Sequence, residues 1–128
     1  MRVIPDINME AALDGMITYF GEPSQADKLA EELFELSIAC GKLGQTVLKF
    51  KYQHLEAPTH EIITSKTVEN LAEESGDVLL MIDQMERIVD GHANSRFRFG
   101  DMIDRAYRRK LERTADMVGV NLYAEVSQ

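Results

Sequence analysis

The chain has 128 residues, 45% hydrophobic and 28% charged, with a formal net charge of −8. This is the length of one domain with enough apolar content for a core, and no apolar run approaches the roughly 20 residues that cross a bilayer, so a disordered chain and a membrane span are both excluded. The acidic balance argues against broad nucleic-acid binding, and the lone Cys40 excludes an intrachain disulfide or a CxxC metal motif. With no signal-peptide pattern in the first residues, the expectation is a cytoplasmic protein in a reducing compartment.

The elements read as helices in chain order. A first helix is expected from about Asn8 to Phe20, capped by Asp6 or Asn8 and ended by Gly21. A second is expected to begin after Pro23-Ser24, with Ser24 and Asp27 forming a capping box. Its apolar stripe is Leu29, Leu33, Leu36, Cys40, Leu43 and Val47, at spacings of three and four, and it reaches about Tyr52 with a bend at Gly41 or Gly44. A break follows from His54 to Thr64. Ser65 or Thr67 is expected to cap a third helix, whose core stripe is Leu71, Val78, Ile82, Met85 and Val89 and which ends near Asp90-Gly91. Gly76 inside that helix costs roughly 1 kcal/mol relative to Ala, which points to a close approach of backbone or ligand there. After a connector from His92 to Gly100, a last helix is expected from about Asp101 to Met117, ended by Gly119. No Asn-Gly or Asp-Gly hairpin sits between alternating runs, so the fold class is all-α, a bundle of four to five helices forming a single domain.

Two acidic clusters carry the chemistry: Glu31-Glu32-Leu33-Phe34-Glu35 and Glu73-Glu74-Ser75-Gly76-Asp77. At about 100° per residue, Glu31, Glu32 and Glu35 share an arc of roughly 100° with Lys28, bordering the apolar stripe. Glu74 and Asp77 lie about 60° apart, also beside a core stripe. Like charges at these spacings weaken a helix, so something must offset them. A hard divalent cation does so, because magnesium takes carboxylate oxygens and water and bridges to phosphates. The plain alternative for either cluster is a solvated face, with Lys28 as an i, i+4 partner of Glu32. A di-iron bundle wants Glu-x-x-His on two helices. His54, His60 and His92 fall in or beside breaks and none follows a helix glutamate by three, so the oxygen-only set favours magnesium or manganese over iron or zinc.

Glu31-Glu32-x-x-Glu35 followed by Glu74-x-x-Asp77 resembles the EExxE…ExxD signature of MazG-like all-α nucleotide pyrophosphohydrolases. The resemblance extends to the flanking Lys28–Leu36 and Leu71–Leu79, and Arg109-Lys-Leu-Glu-Arg113 is similar to the family's basic ending, so it covers about Gln25 to Met117. The interval from Glu35 to Glu74 is longer than in compact members, and Asn70 stands where some relatives offer a lysine to phosphate.

The resemblance implies magnesium-dependent hydrolysis of a (deoxy)nucleoside triphosphate to the monophosphate and pyrophosphate. Glu32, Glu35, Glu74 and Asp77 would ligate the metal, magnesium or manganese in its place. Glu31 would orient or deprotonate the attacking water, and Lys110 and Arg113 would bind substrate phosphate. It also implies a homodimer or homotetramer, and Phe34 and Ile38, apolar outside the main stripe of the second helix, fit a subunit interface. Two alternatives stay open: a non-enzymatic helical interaction protein of the same fold, and a phosphoribosyl-ATP pyrophosphohydrolase-like activity.

Overall fold

The computed structural model describes residues 2–52, 66–92 and 98–123, and the side chains of these outside 45–52. The described residues form four helices and no strand: α1 (Met9–Phe20), α2 (Glu22–Tyr52), α3 (Lys66–His92) and α4 (Phe99–Val118). None is long and apolar enough to cross a membrane. The chain divides into two compact units, Arg2–Ile88 and Val89–Gln128.

Local chemistry sets most helix ends. The Asn8 side chain accepts the Ala11 N–H at 3.1 Å, capping α1 as expected. Gly21 ends α1 at a φ of 89°, a backbone region that favours glycine. That glycine also changes the start of α2. The Gly21 carbonyl already accepts from the Gln25 N–H at 3.1 Å, so α2 begins at Glu22 and Ser24 lies inside it. The expected capping box of Ser24 and Asp27 is therefore not the helix start. Pro23 is tolerated there because a first-turn N–H has no helical partner to lose. Thr67 likewise lies within α3 and not at its cap, whereas Ser65 and the break from His54 to Thr64 lie outside the described residues.

Within Arg2–Ile88 the buried face of α2 is rotated from the expected stripe. Gln25, Glu32 and Ala39 are buried and Leu29, Leu36 and Leu43 half-buried, whereas Leu33 and Cys40 are exposed. Two interleaved seven-residue steps, 25–32–39 and 29–36–43, thus define a seam of heptad type. α2 and α3 run antiparallel: Gln25 meets Gln84, and Glu32 meets Glu74 and Asp77, so positions rise on one helix as they fall on the other. On α3, Val78 and Met81 are buried, while Leu71, Ile82, Met85 and Val89 of the expected stripe are half-buried. Leu13 of α1, with 0% exposure, is the most deeply buried apolar side chain among the described residues of the unit. A leucine buried to that degree contributes about 1.5–3 kcal/mol by removal from water.

Polar contacts tie α1 and α2 to α3. Gln25 Nε2 donates to Gln84 Oε1, both buried, and Gln84 Nε2 reaches the sulfurs of Met16 and Met81 at 3.7 and 3.6 Å. Arg87 on α3 grips Asp14 on α1 with both nitrogens, Nε at 3.0 Å and Nη2 at 2.7 Å. The expected close approach at Gly76 is not found: a Cβ there would meet no atom of the described residues within 4 Å.

In the second unit, the Asp90 carboxylate accepts the Phe99 N–H at 2.7 Å, satisfying a first-turn donor of α4 that Arg98 does not cap. Gly119 closes α4 in the left-handed region at a φ of 73°, its N–H reaching Ala115 and Asp116 carbonyls.

Candidate metal centre

The two acidic motifs meet. Glu32 from α2 and Glu74 and Asp77 from α3 each offer a carboxylate oxygen, and these oxygens lie within 4.8 Å of one another. The sequence explains the convergence. Glu74 and Asp77, spaced i, i+3, share one face of α3. Glu32 occupies the middle of the α2 seam, which the antiparallel register sets against that face. Burial grades across the group: Glu32 is buried, Glu74 half-buried and Asp77 exposed, so the cluster opens towards solvent on the Asp77 side.

The hydrogen bonding is incomplete in an informative way. Glu32 Oε1 is paired with Lys28 Nζ at 3.0 Å, as the i, i+4 spacing suggested. Its other oxygen, Oε2, is buried without a hydrogen-bond partner, and so is Glu74 Oε2. A buried acceptor left unmatched costs about 1–3 kcal/mol, and more when charged. These two orphaned oxygens come from different helices and belong to the same cluster. A hard cation with oxygen ligands would satisfy both at once, and the all-carboxylate donor set suits one.

Glu35 stands beside the group and not within it. The Glu32 carboxylate, then partial burial, then the Glu74 carboxylate hold the Glu35 acid above the usual carboxylate range. Proximity of like charge is the main cause, so Glu35 senses the same negative field a cation would neutralise. The same carboxylates raise Lys28 as well, its hydrogen bond to Glu32 first and then the charges of Glu31 and Glu32, which here favour the charged form. Glu31 is exposed, its carboxylate 3.6 Å from Lys28 Nζ. Lys110 and Arg113 are exposed on α4, in the unit Val89–Gln128, whereas every carboxylate of the cluster belongs to Arg2–Ile88.

Two buried polar features have no counterpart in the sequence reading. One is the Gln25–Gln84 pair. The other is Asp83, buried on α3, which accepts a long bond from the Arg2 N–H at 3.4 Å. Gln25 and Gln84 had a usable signal, each lying seven residues from a cluster carboxylate, Glu32 and Asp77 respectively. No protein-family model, curated protein or solved structure compared with the chain matches it.

Proposed function

We propose that this chain is a magnesium-dependent nucleoside triphosphate pyrophosphohydrolase of the MazG-like type. The observation that carries the reading is the pair of orphaned buried oxygens, Glu32 Oε2 and Glu74 Oε2, brought together with Asp77 at the two motif positions. Composition alone would allow the acidic residues to be surface charge. Surface charge does not leave carboxylate oxygens buried and unmatched on two facing helices.

In this reading water attacks the α-phosphorus of the substrate. The bond from that phosphorus to the α–β bridging oxygen breaks, and the products are a nucleoside monophosphate and pyrophosphate. Bound at the cluster, magnesium supplies Lewis acidity, neutralising phosphate oxygens and making water more acidic. Glu32, Glu74 and Asp77 hold it, with Glu35 completing the carboxylate set. Glu31, paired with Lys28, is the candidate to orient or deprotonate the attacking water. The resemblance adds Lys110 and Arg113, both exposed on α4, as candidates for substrate phosphate.

Self-association belongs to the same proposal. Leu33, Phe34 and Ile38 are 47%, 68% and 46% exposed, giving α2 an apolar face outside its seam. A helix apolar on two sides is one buried on two sides, here against a second copy in a homodimer or homotetramer. Light scattering at micromolar concentration should give at least twice the chain mass.

The functional test is pyrophosphate release from a panel of ribo- and deoxyribonucleotides, with and without magnesium, by wild type and Glu74→Gln. Magnesium-dependent release that disappears in a fully helical variant supports the hydrolase. No release from any nucleotide by folded, metal-loaded protein would leave a non-enzymatic interaction protein as the better reading.

A further inference from the structure

We propose that Lys42 and Lys66 form the seat for the β- and γ-phosphates of the substrate, the end that leaves as pyrophosphate. The inference rests on the hydrolase reading and assigns one end of its substrate. A cavity of about 460 Å³ is lined, among the described residues, by Lys42 of α2 and by Lys66, Thr67, Glu69, Asn70 and Glu73 of α3. All belong to the unit that holds the acidic cluster.

Helix arithmetic places this cavity along the groove between α2 and α3. With a rise of 1.5 Å per residue, Asn70 lies about 6 Å along α3 from Glu74, and Lys66 about 12 Å. On α2, Lys42 lies about 15 Å beyond Glu32, the cluster's member on that helix. Because the helices run antiparallel, both lysines fall on the same side of the cluster. A triphosphate whose α-phosphate sits at the carboxylates would extend its distal phosphates towards them, within reach of their long stems.

The lining chemistry selects the phosphate end over the base. Its described lining residues hold two ammonium groups, an amide and a hydroxyl, all hydrogen-bond donors, and none of these described residues is aromatic. Lysine meets phosphate as a compact charge on a long, adaptable stem. Glu69 and Glu73 in the same lining balance the two lysines, so an anion alone gains little there. The site becomes favourable when a cation occupies the neighbouring cluster and offsets the remaining negative charge. Polyphosphate binding should accordingly depend on magnesium. A diphosphate, which lacks the γ-phosphate, should bind more weakly than a triphosphate.

The test uses the full chain as wild type, as the double variant Lys42→Ala/Lys66→Ala, and as Lys42→Arg/Lys66→Arg. Both lysines are exposed, so helicity by circular dichroism should be unchanged in each. The readouts are kcat and KM for matched nucleoside tri- and diphosphates, and calorimetric Kd for inorganic pyrophosphate and for a nucleoside monophosphate, all with magnesium.

The alanine pair should raise triphosphate KM and pyrophosphate Kd by about tenfold per lysine. It should erode the preference for triphosphate, leave monophosphate Kd within about twofold, and be partly rescued by arginine. Triphosphate KM and pyrophosphate Kd unchanged in an active enzyme would overturn the inference while leaving the hydrolase standing. Equal weakening of monophosphate would overturn it in favour of a nucleoside pocket. Lysine-dependent pyrophosphate binding without turnover of any nucleotide would support the seat and sink the hydrolase. A wild type that neither binds pyrophosphate nor turns over nucleotide would overturn both.

Discussion

Replacing Glu74 by glutamine should make the metal-free protein more stable, not less, while abolishing its response to magnesium. The substitution keeps size and shape and removes one charge from a group whose oxygens lie within 4.8 Å of one another. At that separation two unit charges repel by about 3.5 kcal/mol at an effective dielectric of 20 and about 1 kcal/mol at 80. Glu74 takes part in two such pairs, with Glu32 and with Asp77. The larger sum is not reachable, because a penalty above about 3.5 kcal/mol at pH 7 is relieved by protonating a carboxylate. Asp77 is exposed and further screened. The expected gain is therefore about 1–3 kcal/mol, helped by a glutamine NH₂ that can donate to the neighbouring carboxylates. For a chain of this length that is a rise in Tm of about 4–12 °C. The assay is far-UV thermal unfolding at fixed protein concentration and low salt, in EDTA and then in excess magnesium. Wild type should gain Tm with magnesium; Glu74→Gln should begin higher and gain little. A variant that is less stable in EDTA, with the same magnesium response as wild type, would refute the argument. The carboxylate would then be holding the fold together and not waiting for a cation.

Three further outcomes are expected. Gln84→Leu should lose about 1–3 kcal/mol in denaturant unfolding, because it leaves the buried Gln25 amide unmatched; adding Gln25→Leu should recover most of that loss, and no recovery would show the amides act independently. Gly76→Ala should add about 0.5–1 kcal/mol, since a Cβ there meets nothing among the described residues; destabilisation would reveal a neighbour, a second copy included, seated on that face. The magnesium-induced rise in Tm should be larger at pH 7.5 than at pH 5. Glu35 is held above its ordinary range by Glu32, so its contribution to stability is present below its unfolded pKa and is lost as pH rises through the raised value, which is the penalty a cation offsets. Asp14 shifts down, chiefly through its hydrogen bond with Arg87, so its contribution is lost only as pH falls below the ordinary carboxylate range and does not confound that comparison. Equal rises at both pH values would place the magnesium effect away from these carboxylates.

Helix ends were legible where one residue decides them. Asn8 has the side chain to cap α1, and Gly21 and Gly119 have the backbone freedom to stop α1 and α4. The start of α2 was not legible, because Ser24 and Asp27 look like a cap and nothing local reveals that the Gly21 carbonyl has already opened the helix. The α2 stripe was misplaced for a related reason. Ranking by hydrophobicity selects Leu33 and Cys40, and both are exposed, while Gln25 and Glu32 are buried. Periodicity finds the spacing of a face; it does not find its rotation when polar residues occupy the face. At the candidate site, the i, i+3 and i, i+4 spacings showed which carboxylates share a helix side. Which helix sides meet, and which oxygens are left unmatched, is tertiary information. Lys42 and Lys66 are not legible as a pair, because they are 24 residues apart in sequence and line one cavity only through the antiparallel register.

That register also supplies an internal control for the metal reading. Along the α2–α3 seam, Gln25 lies seven residues before Glu32, and Gln84 seven residues after Asp77. The two polar layers therefore occupy equivalent positions two helical turns apart. In the first, the chain buries neutral amides that satisfy each other. In the second, it brings together carboxylates that cannot satisfy each other and leaves two oxygens buried without donors. Both layers could fix the pairing of α2 with α3, since a buried polar pair penalises any shift in register. An amide pair does this at low cost, as the first layer shows, so register gives no reason for three carboxylates in the second. The difference between the layers is net charge facing inwards, and the ligand that makes such a layer favourable is one of opposite charge with a preference for oxygen.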